Sequence, residues 1–175
     1  GIAVALMLIS PELVLIFGSP KYREAVYVIP PVAASVFFIF IYNILSMPQF
    51  YYEKTQFLMA ASMAAAGANV VLNFIFIRLF GYIAAGYTTL ACYMLYSVGH
   101  YIVSKRILVN EGIQENLMNP GFLLACSVFL IGASIICNLI FPYRILRYAI
   151  LLASAGLVFW KKELLLKTMA DIRKK

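Results

Sequence analysis

The chain has 175 residues, of which 64% are apolar and only 12% are charged. Soluble domains of ordinary composition carry about twice that share of charged residues, and the mean hydropathy of +0.92 also argues against a soluble protein. The net charge of +7 is concentrated near the end of the sequence and forms no basic stripe on a polar surface. We therefore expect contact with anionic lipid headgroups and not with nucleic acid.

Long apolar stretches separated by short polar segments predict an all-α, polytopic membrane protein with six transmembrane helices, since about 20 apolar residues cross the hydrocarbon core. The expected transmembrane region is 1–160 and the remaining residues, 161–175, form a basic cytoplasmic tail. The sequence begins inside an apolar run and without a Met, so we expect it to be the C-terminal part of a longer protein. The predicted helices span residues 2–18, 25–50, 55–79, 82–104, 120–141 and 145–160.

Lysines and arginines set the expected orientation of these helices. Nine of the fourteen lie in the tail and in the loops on the same side of the membrane as the tail, and five lie on the opposite side. Because cytoplasmic loops carry the excess of basic residues, the C-terminus and the start of the first helix are predicted to be cytoplasmic.

Three prolines fall in the second predicted helix, the pair Pro30 and Pro31 near its outer end and Pro48 near its inner end. Proline removes a backbone donor and clashes with the preceding turn, so we expect kinks at these positions. A kink here is either a feature of packing or a bending point for a gate.

Polar side chains recur at helical spacing along one face of each of the second, third and fourth predicted helices. An amide or imidazole that faces lipid costs several kcal/mol, because the bilayer core offers it no hydrogen-bond partner. These faces are therefore predicted to look onto other helices or onto a water-filled cavity. Their members are Ser35, Tyr42, Ser46 and Gln49, then Thr55, Ser62, Asn69 and Asn73, then Thr89, Tyr93, Tyr96, His100 and Ser104.

From these faces we select a candidate substrate path. Asparagines on a transmembrane helix either join helices or line a sugar-binding cavity, and a tyrosine in a cavity can stack on a sugar ring or simply pack. The histidine is either an interfacial residue or a group that contacts a headgroup or titrates near the inner mouth. The candidates are Tyr42, Ser46, Gln49, Asn69, Asn73, Thr89, Tyr93, Tyr96 and His100.

The sequence contains no residue pattern typical of an enzyme active site. The chain has one histidine, and its three cysteines lie in apolar segments without a CxxC pair. No paired-carboxylate site, Gly-rich phosphate loop or nucleophile with its base is visible. We expect no enzyme activity, no metal site and no cofactor.

Three segments resemble a known family. The run over 69–89, NVVLNFIFIRLFGYIAAGYTT, is similar to a hallmark of the oligosaccharide flippases of the multidrug/oligosaccharidyl-lipid/polysaccharide superfamily. Residues 10–25, with SPEL, FG and YREA, resemble the end of that family's ninth helix and the turn after it. Residues 43–55, with NILS and EKT, resemble its tenth helix and inner turn. One departure is Arg78, near a position where many relatives have proline.

This resemblance implies a fold of fourteen helices, of which the chain supplies the last six as the C-terminal lobe. The implied function is to flip a polyprenyl-pyrophosphate-linked oligosaccharide across the bacterial cytoplasmic (inner) membrane by alternating access, for O-antigen, lipopolysaccharide or capsule biosynthesis. The implied partners are that lipid-linked oligosaccharide, membrane lipids and the N-terminal lobe of the same protein, with a polysaccharide polymerase as a further candidate. The cations that hold the pyrophosphate are expected in the N-terminal lobe.

Two other functions stay open on the sequence. A multidrug or cation exporter of the same superfamily would be favoured if the N-terminal half carried membrane-embedded carboxylates and an apolar cavity. A non-transporting membrane scaffold for a polysaccharide synthase would be favoured if the polar faces packed dry against one another.

Overall fold

The computed structural model describes residues 2–18, 20–113 and 118–160. These residues form six α-helices and one 3-10 helix, with no strand among them, so the all-helical prediction is confirmed. The predicted cytoplasmic tail over 161–175 lies outside the described residues. The helices are α1 (Ile2–Phe17), a 3-10 helix (Pro20–Tyr27), α2 (Ile29–Tyr51), α3 (Thr55–Phe80), α4 (Ala84–Asn110), α5 (Pro120–Ile140) and α6 (Arg144–Trp160).

Three of the described helices, α2, α3 and α5, are long and apolar enough to cross a membrane. Helix α1 is apolar but shorter, and α4 has 27 residues but carries polar side chains that lower its hydropathy. Several of those side chains, including Ser97, His100 and Ser104, are buried inside the protein and are not presented to its surface. Membrane association is supported, and the six-span count stays a prediction.

The described residues up to Asn138 form one compact unit, and those from Leu139 to Trp160 belong to a second one. In the first unit α2 is the central helix: it packs most extensively against α4 and also contacts α1, α3 and the 3-10 helix. Helix α3 packs mainly against α4, and none of its 26 residues is buried. In the second unit, the Arg147 guanidinium lies 5.2 Å from the ring centroid of Tyr148.

Helix α2 begins at Ile29 and not near Ala25, because the preceding polar residues form the 3-10 helix. Pro30 and Pro31 consequently occupy its first turn, where the backbone N–H groups have no partner within the helix. The predicted kink at this pair was wrong, because the two prolines start the helix and do not interrupt it. Pro48 does lie inside α2.

The N-terminal ends of α2 and α4 approach each other closely at Gly86. A Cβ atom on this residue would lie 2.8 Å from Pro31 Cγ and 2.9 Å from the carbonyl oxygen of Val28. Only a glycine fits this contact without a shift of the neighbouring chain. Small residues allow such backbone approach between membrane helices.

The turn from α3 to α4 is tight, as the sequence predicts. Gly81 ends α3 with φ at 77°, a left-handed conformation that favours glycine, and its N–H donates to the Ile77 carbonyl at 2.9 Å. Beside it, the Tyr82 hydroxyl donates to Glu24 Oε2 at 2.8 Å. This hydrogen bond and the charge of the carboxylate raise the pKa of Tyr82. The turn is thereby tied to the 3-10 helix.

Candidate functional site

A cleft of about 480 Å³ opens between α2, α3 and α4. We call it the polar cleft, because most of its lining side chains carry a hydroxyl or an amide. Alanines on α3 leave the space that it occupies, since their side chains end at Cβ. Its lining residues are Tyr42 from α2, Ser62, Ala65, Ala66, Asn69 and Val70 from α3, and Thr89, Cys92, Tyr93 and Tyr96 from α4.

Three tyrosines form one side of the polar cleft. The rings of Tyr42 and Tyr93 are nearly parallel, with 7° between their planes and 6.4 Å between their centroids. The ring of Tyr96 meets Tyr42 edge-on, with a centroid separation of 4.7 Å. Their spacing follows from the sequence, because Tyr93 and Tyr96 are three residues apart on α4 and therefore share a face.

The opposite side of the cleft is held by a chain of hydrogen bonds between α3 and α4. The Thr88 hydroxyl of α4 donates to Asn73 Oδ1, and Asn73 Nδ2 donates to Asn69 Oδ1 at 2.9 Å. The Asn69 oxygen thus accepts a hydrogen bond, whereas its Nδ2 makes none within the described part of the chain. Asn73 does not line the cleft itself; it fixes the orientation of the asparagine that does.

Two further contacts complete the lining. The Ser62 hydroxyl donates to the Leu58 carbonyl at 2.9 Å, which leaves its oxygen to accept from the Tyr96 hydroxyl at 2.6 Å. The Thr89 hydroxyl donates to the Ala85 carbonyl at 2.8 Å. Serine and threonine hydroxyls in helices commonly use the preceding turn in this way.

A second polar group, the buried network, joins α2 to α4 nearer their C-terminal ends. It consists of Gln49, His100 and Ser104, all with 0% of their surface exposed. Gln49 Nε2 lies 2.9 Å from Ser104 Oγ, and the Ser104 hydroxyl in turn donates to the Leu45 carbonyl. His100 Nδ1 lies 2.9 Å from Gln49 Nε2 and 3.1 Å from Gln49 Oε1.

The buried network lies directly behind the tyrosines of the polar cleft. The His100 ring centroid is 5.8 Å from that of Tyr42, 4.4 Å from that of Tyr96 and 5.6 Å from that of Phe57. Its Nε2 atom makes no hydrogen bond within the described part of the chain. The imidazole therefore supports the aromatic side of the cleft from within the protein.

The structure brings five of the nine predicted path residues to the polar cleft: Tyr42, Asn69, Thr89, Tyr93 and Tyr96. The other four lie elsewhere. Asn73 supports Asn69, Gln49 and His100 belong to the buried network, and Ser46 is buried with its hydroxyl bonded to the Asn43 carbonyl of its own helix at 2.9 Å. Whether the five carry a substrate stays a prediction.

Sequence reasoning left four contributing residues out of the candidate path. Ser62 and Ser104 lay on the predicted polar faces, so the signal for both was present. Cys92 was interpreted only as a packing residue, and nothing in the sequence distinguished it. Thr88 lies off the face defined by Thr89, and its contact with Asn73 depends on how α3 and α4 are aligned.

A separate, apolar cleft of about 350 Å³ lies between α2, α4 and α5. Its lining is almost entirely aliphatic and aromatic, with Phe38, Leu45, Met94 and Leu123 among its members. It offers few groups that hold a polar ligand. Among the described residues, no cluster of three or more His, Cys, Asp or Glu side chains is placed to hold a metal ion.

No model of a known protein family, no curated protein and no solved structure matches the chain.

Proposed function

We propose that the chain is the C-terminal half of an oligosaccharide flippase of the multidrug/oligosaccharidyl-lipid/polysaccharide superfamily. In this proposal it helps to move a polyprenyl-pyrophosphate-linked oligosaccharide across the bacterial cytoplasmic membrane by alternating access. The observation that supports it most is the polar cleft, a space of about 480 Å³ lined by hydroxyl and amide groups in a largely apolar helical bundle.

The physical demands of such transport fit this arrangement. A sugar headgroup loses its hydration in hydrocarbon and needs hydrogen-bonding groups along its path. The prenyl tail has no such need and stays in the lipid. A cleft between helices serves a substrate of this kind if it opens toward the lipid, because head and tail then travel in different surroundings.

The proposal assigns a role to each of the predicted residues. Tyr42, Tyr93 and Tyr96 offer ring faces and hydroxyls to the sugar, and Asn69 and Thr89 border the same space. The remaining four do not line the cleft. Asn73 orients Asn69. The contact between Gln49 and His100 holds α2 against α4, and the Ser46 hydroxyl bonds to a carbonyl of its own helix.

The proposed architecture extends the three apolar helices to six spans by adding α1, α4 and α6, with the C-terminus in the cytoplasm. Helix α3 carries large exposed apolar side chains such as Met63, Val71 and Phe74. These suit contact with acyl chains or with the N-terminal lobe. The pyrophosphate is assigned to that lobe, since none of the residues that line the polar cleft is a cation.

The exporter hypothesis finds less support in the polar cleft. The described residues that line the cleft are mostly polar and include no carboxylate, and the carboxylates that would favour an exporter belong to the N-terminal half. The scaffold hypothesis finds support in the buried network, whose three residues are packed without exposure. It does not account for the unfilled space beside them.

The test is genetic rescue. The full-length gene is expressed in a strain that lacks its oligosaccharide flippase, and surface polysaccharide and membrane levels of the protein are both measured. We expect the wild-type gene to restore the polysaccharide, and Tyr42→Ala, Asn69→Ala and Tyr93→Ala each to reduce it at normal protein levels. Val71→Ala, an exposed position on α3 outside the cleft lining, is the matched control.

Three outcomes would contradict the proposal. Failure of the wild-type gene to restore polysaccharide in strains with different repeat units would argue against a flippase. Drug resistance conferred without polysaccharide rescue would favour the exporter. Full activity of all the cleft variants would remove the polar cleft from the path and favour the scaffold.

A further inference from the structure

The polar cleft is uncharged. Tyr42, Ser62, Asn69, Thr89, Tyr93 and Tyr96 supply its polar lining, and no Asp, Glu, Lys, Arg or His is among the described residues that line it. A charged ligand group that enters it gives up part of its hydration and meets no opposite charge in return. The cleft therefore favours neutral ligand groups over charged ones.

Several hydrogen-bonding groups at the cleft have no partner within the described part of the chain. The hydroxyls of Tyr42 and Tyr93 make no hydrogen bond there, and Asn69 uses its oxygen but not its Nδ2. The orientation of the Asn69 amide is set by Asn73, whose Nδ2 occupies the Asn69 oxygen. These groups are consequently free to bind a ligand.

The free groups include both donors and acceptors. The Asn69 amide nitrogen only donates, and the two phenol hydroxyls both donate and accept. Tyr96 donates to Ser62, so the lone pairs of its oxygen are left to accept. A mixed set of this kind matches ligand hydroxyls, which also donate and accept. A carboxylate only accepts, so it leaves the acceptors of the cleft unsatisfied.

The parallel rings add a requirement of shape. Tyr42 and Tyr93 present faces that are within 7° of the same orientation. Such faces suit a ligand with a flat apolar side and polar edges, and each tyrosine places its hydroxyl at the edge of its ring.

From these observations we propose that the polar cleft binds an electrically neutral, hydroxyl-bearing sugar ring and rejects a ring that carries a carboxylate. The inference rests on the proposed transport function, and it specifies which sugars the path accepts. Repeat units made of neutral sugars are then substrates, and units in which a uronic acid must occupy this cleft are not.

The experiment measures binding and not transport. A cysteine is placed in the cleft lining as Ala66→Cys, in the full-length protein with Cys92, Cys126 and Cys137 replaced by Ala. Its reaction with a hydrophilic maleimide is followed in membranes while maltotriose, or maltotriose with all three glucose units oxidised to glucuronate, is added. We expect maltotriose to slow the labelling at a concentration about tenfold lower than the glucuronate form.

Ala65→Lys in the same protein supplies the converse test. Ala65 also lines the cleft, and a lysine there places a cation beside the sugar. This variant is expected to lose the preference for the neutral sugar or to reverse it. Loss of protection in the Tyr42→Phe, Tyr93→Phe double variant would further support the assigned contacts.

Equal protection by the two sugars, or protection by neither, would overturn the inference. A preference unchanged by Ala65→Lys would also overturn it, because charge would then not be the basis of selection. The proposed function is judged separately, by the rescue of surface polysaccharide, so the failure of one is distinguishable from the failure of the other.

Discussion

The buried network and the polar cleft are neighbours made from similar side chains, yet they use their hydrogen bonds differently. In the network, Gln49 and Ser104 bond to partners on the opposite helix and have no exposed surface. In the cleft, the hydroxyls of Tyr42 and Tyr93 have no partner in the described chain. The buried network thus holds α2 against α4, whereas the polar cleft offers hydroxyl groups that can bind a ligand.

This difference predicts two kinds of variant. Removing a polar group from the network leaves its partners unsatisfied in the interior, so the free energy of unfolding decreases. Removing a hydroxyl from the cleft leaves no protein group unsatisfied, so ligand binding is weakened and stability is retained. The four predictions that follow run from the largest expected change in stability to the smallest.

Gln49→Leu is expected to have the largest effect. It leaves His100 Nδ1 without its cross-helix partner and Ser104 Oγ without the amide that donates to it, which we expect to lower the free energy of unfolding by about 2 kcal/mol. Thermal unfolding of the full-length protein in detergent checks this. Asn43→Leu is the control, because Asn43 is exposed on the same helix and bonds only to the Ile39 carbonyl. Equal losses in both variants would contradict the assignment.

Gly86→Ala tests the close approach of α2 and α4 that keeps the two sites in register. The added Cβ would lie 2.8 Å from Pro31 Cγ, so the helices must separate, at a cost of about 1–2 kcal/mol. The matched control is Gly67→Ala on α3, where a Cβ meets nothing within 4 Å. The same unfolding measurement applies, and a loss of stability in Gly67→Ala alone would reverse the interpretation.

Tyr93→Phe separates binding from stability most cleanly. It removes a hydroxyl that has no partner in the described chain, so the free energy of unfolding should change by less than about 0.5 kcal/mol. Surface polysaccharide in the rescue strain should nevertheless fall. A variant that is destabilised while its remaining activity per folded molecule is unchanged would show that the hydroxyl serves packing.

Tyr82→Phe is expected to change neither stability nor rescue measurably. Its hydrogen bond to Glu24 is exposed to solvent, and such contacts contribute little. Thermal unfolding and the rescue assay both check it. A fall in melting temperature as large as that of Gln49→Leu would mean that the outer turn contributes more to the fold than its exposure suggests.

Much of the fold was accessible from the sequence. Runs of apolar residues predicted an all-helical protein with helices apolar enough to cross a membrane, and the short gap between the third and fourth predicted helices corresponds to the tight turn at Gly81. The 3-10 helix before α2 was not foreseen. Its last three residues, 25–27, were assigned to α2, and Pro30 and Pro31 were assigned to the interior of that helix when they mark its start.

The candidate site was accessible in part. Helical spacing placed Tyr42, Asn69 and Tyr93 on inward faces, and all three line the polar cleft. Spacing does not tell which members of a face meet a partner across the gap. Gln49 meets Ser104, and Thr88 meets Asn73, because of the relative heights of neighbouring helices. That alignment is set by packing contacts far apart in the sequence.

The most direct test of this account compares two engineered cysteines on α3 of the full-length protein in native membranes, after removal of its native cysteines. Ala66 lines the polar cleft, whereas Ala64 is exposed on the same helix and does not line it. A wet cleft predicts that a hydrophilic maleimide labels Ala66→Cys readily and Ala64→Cys slowly or not at all, because a thiol in hydrocarbon does not ionise. Labelling of Ala64→Cys as fast as Ala66→Cys, or no labelling of Ala66→Cys, would contradict it.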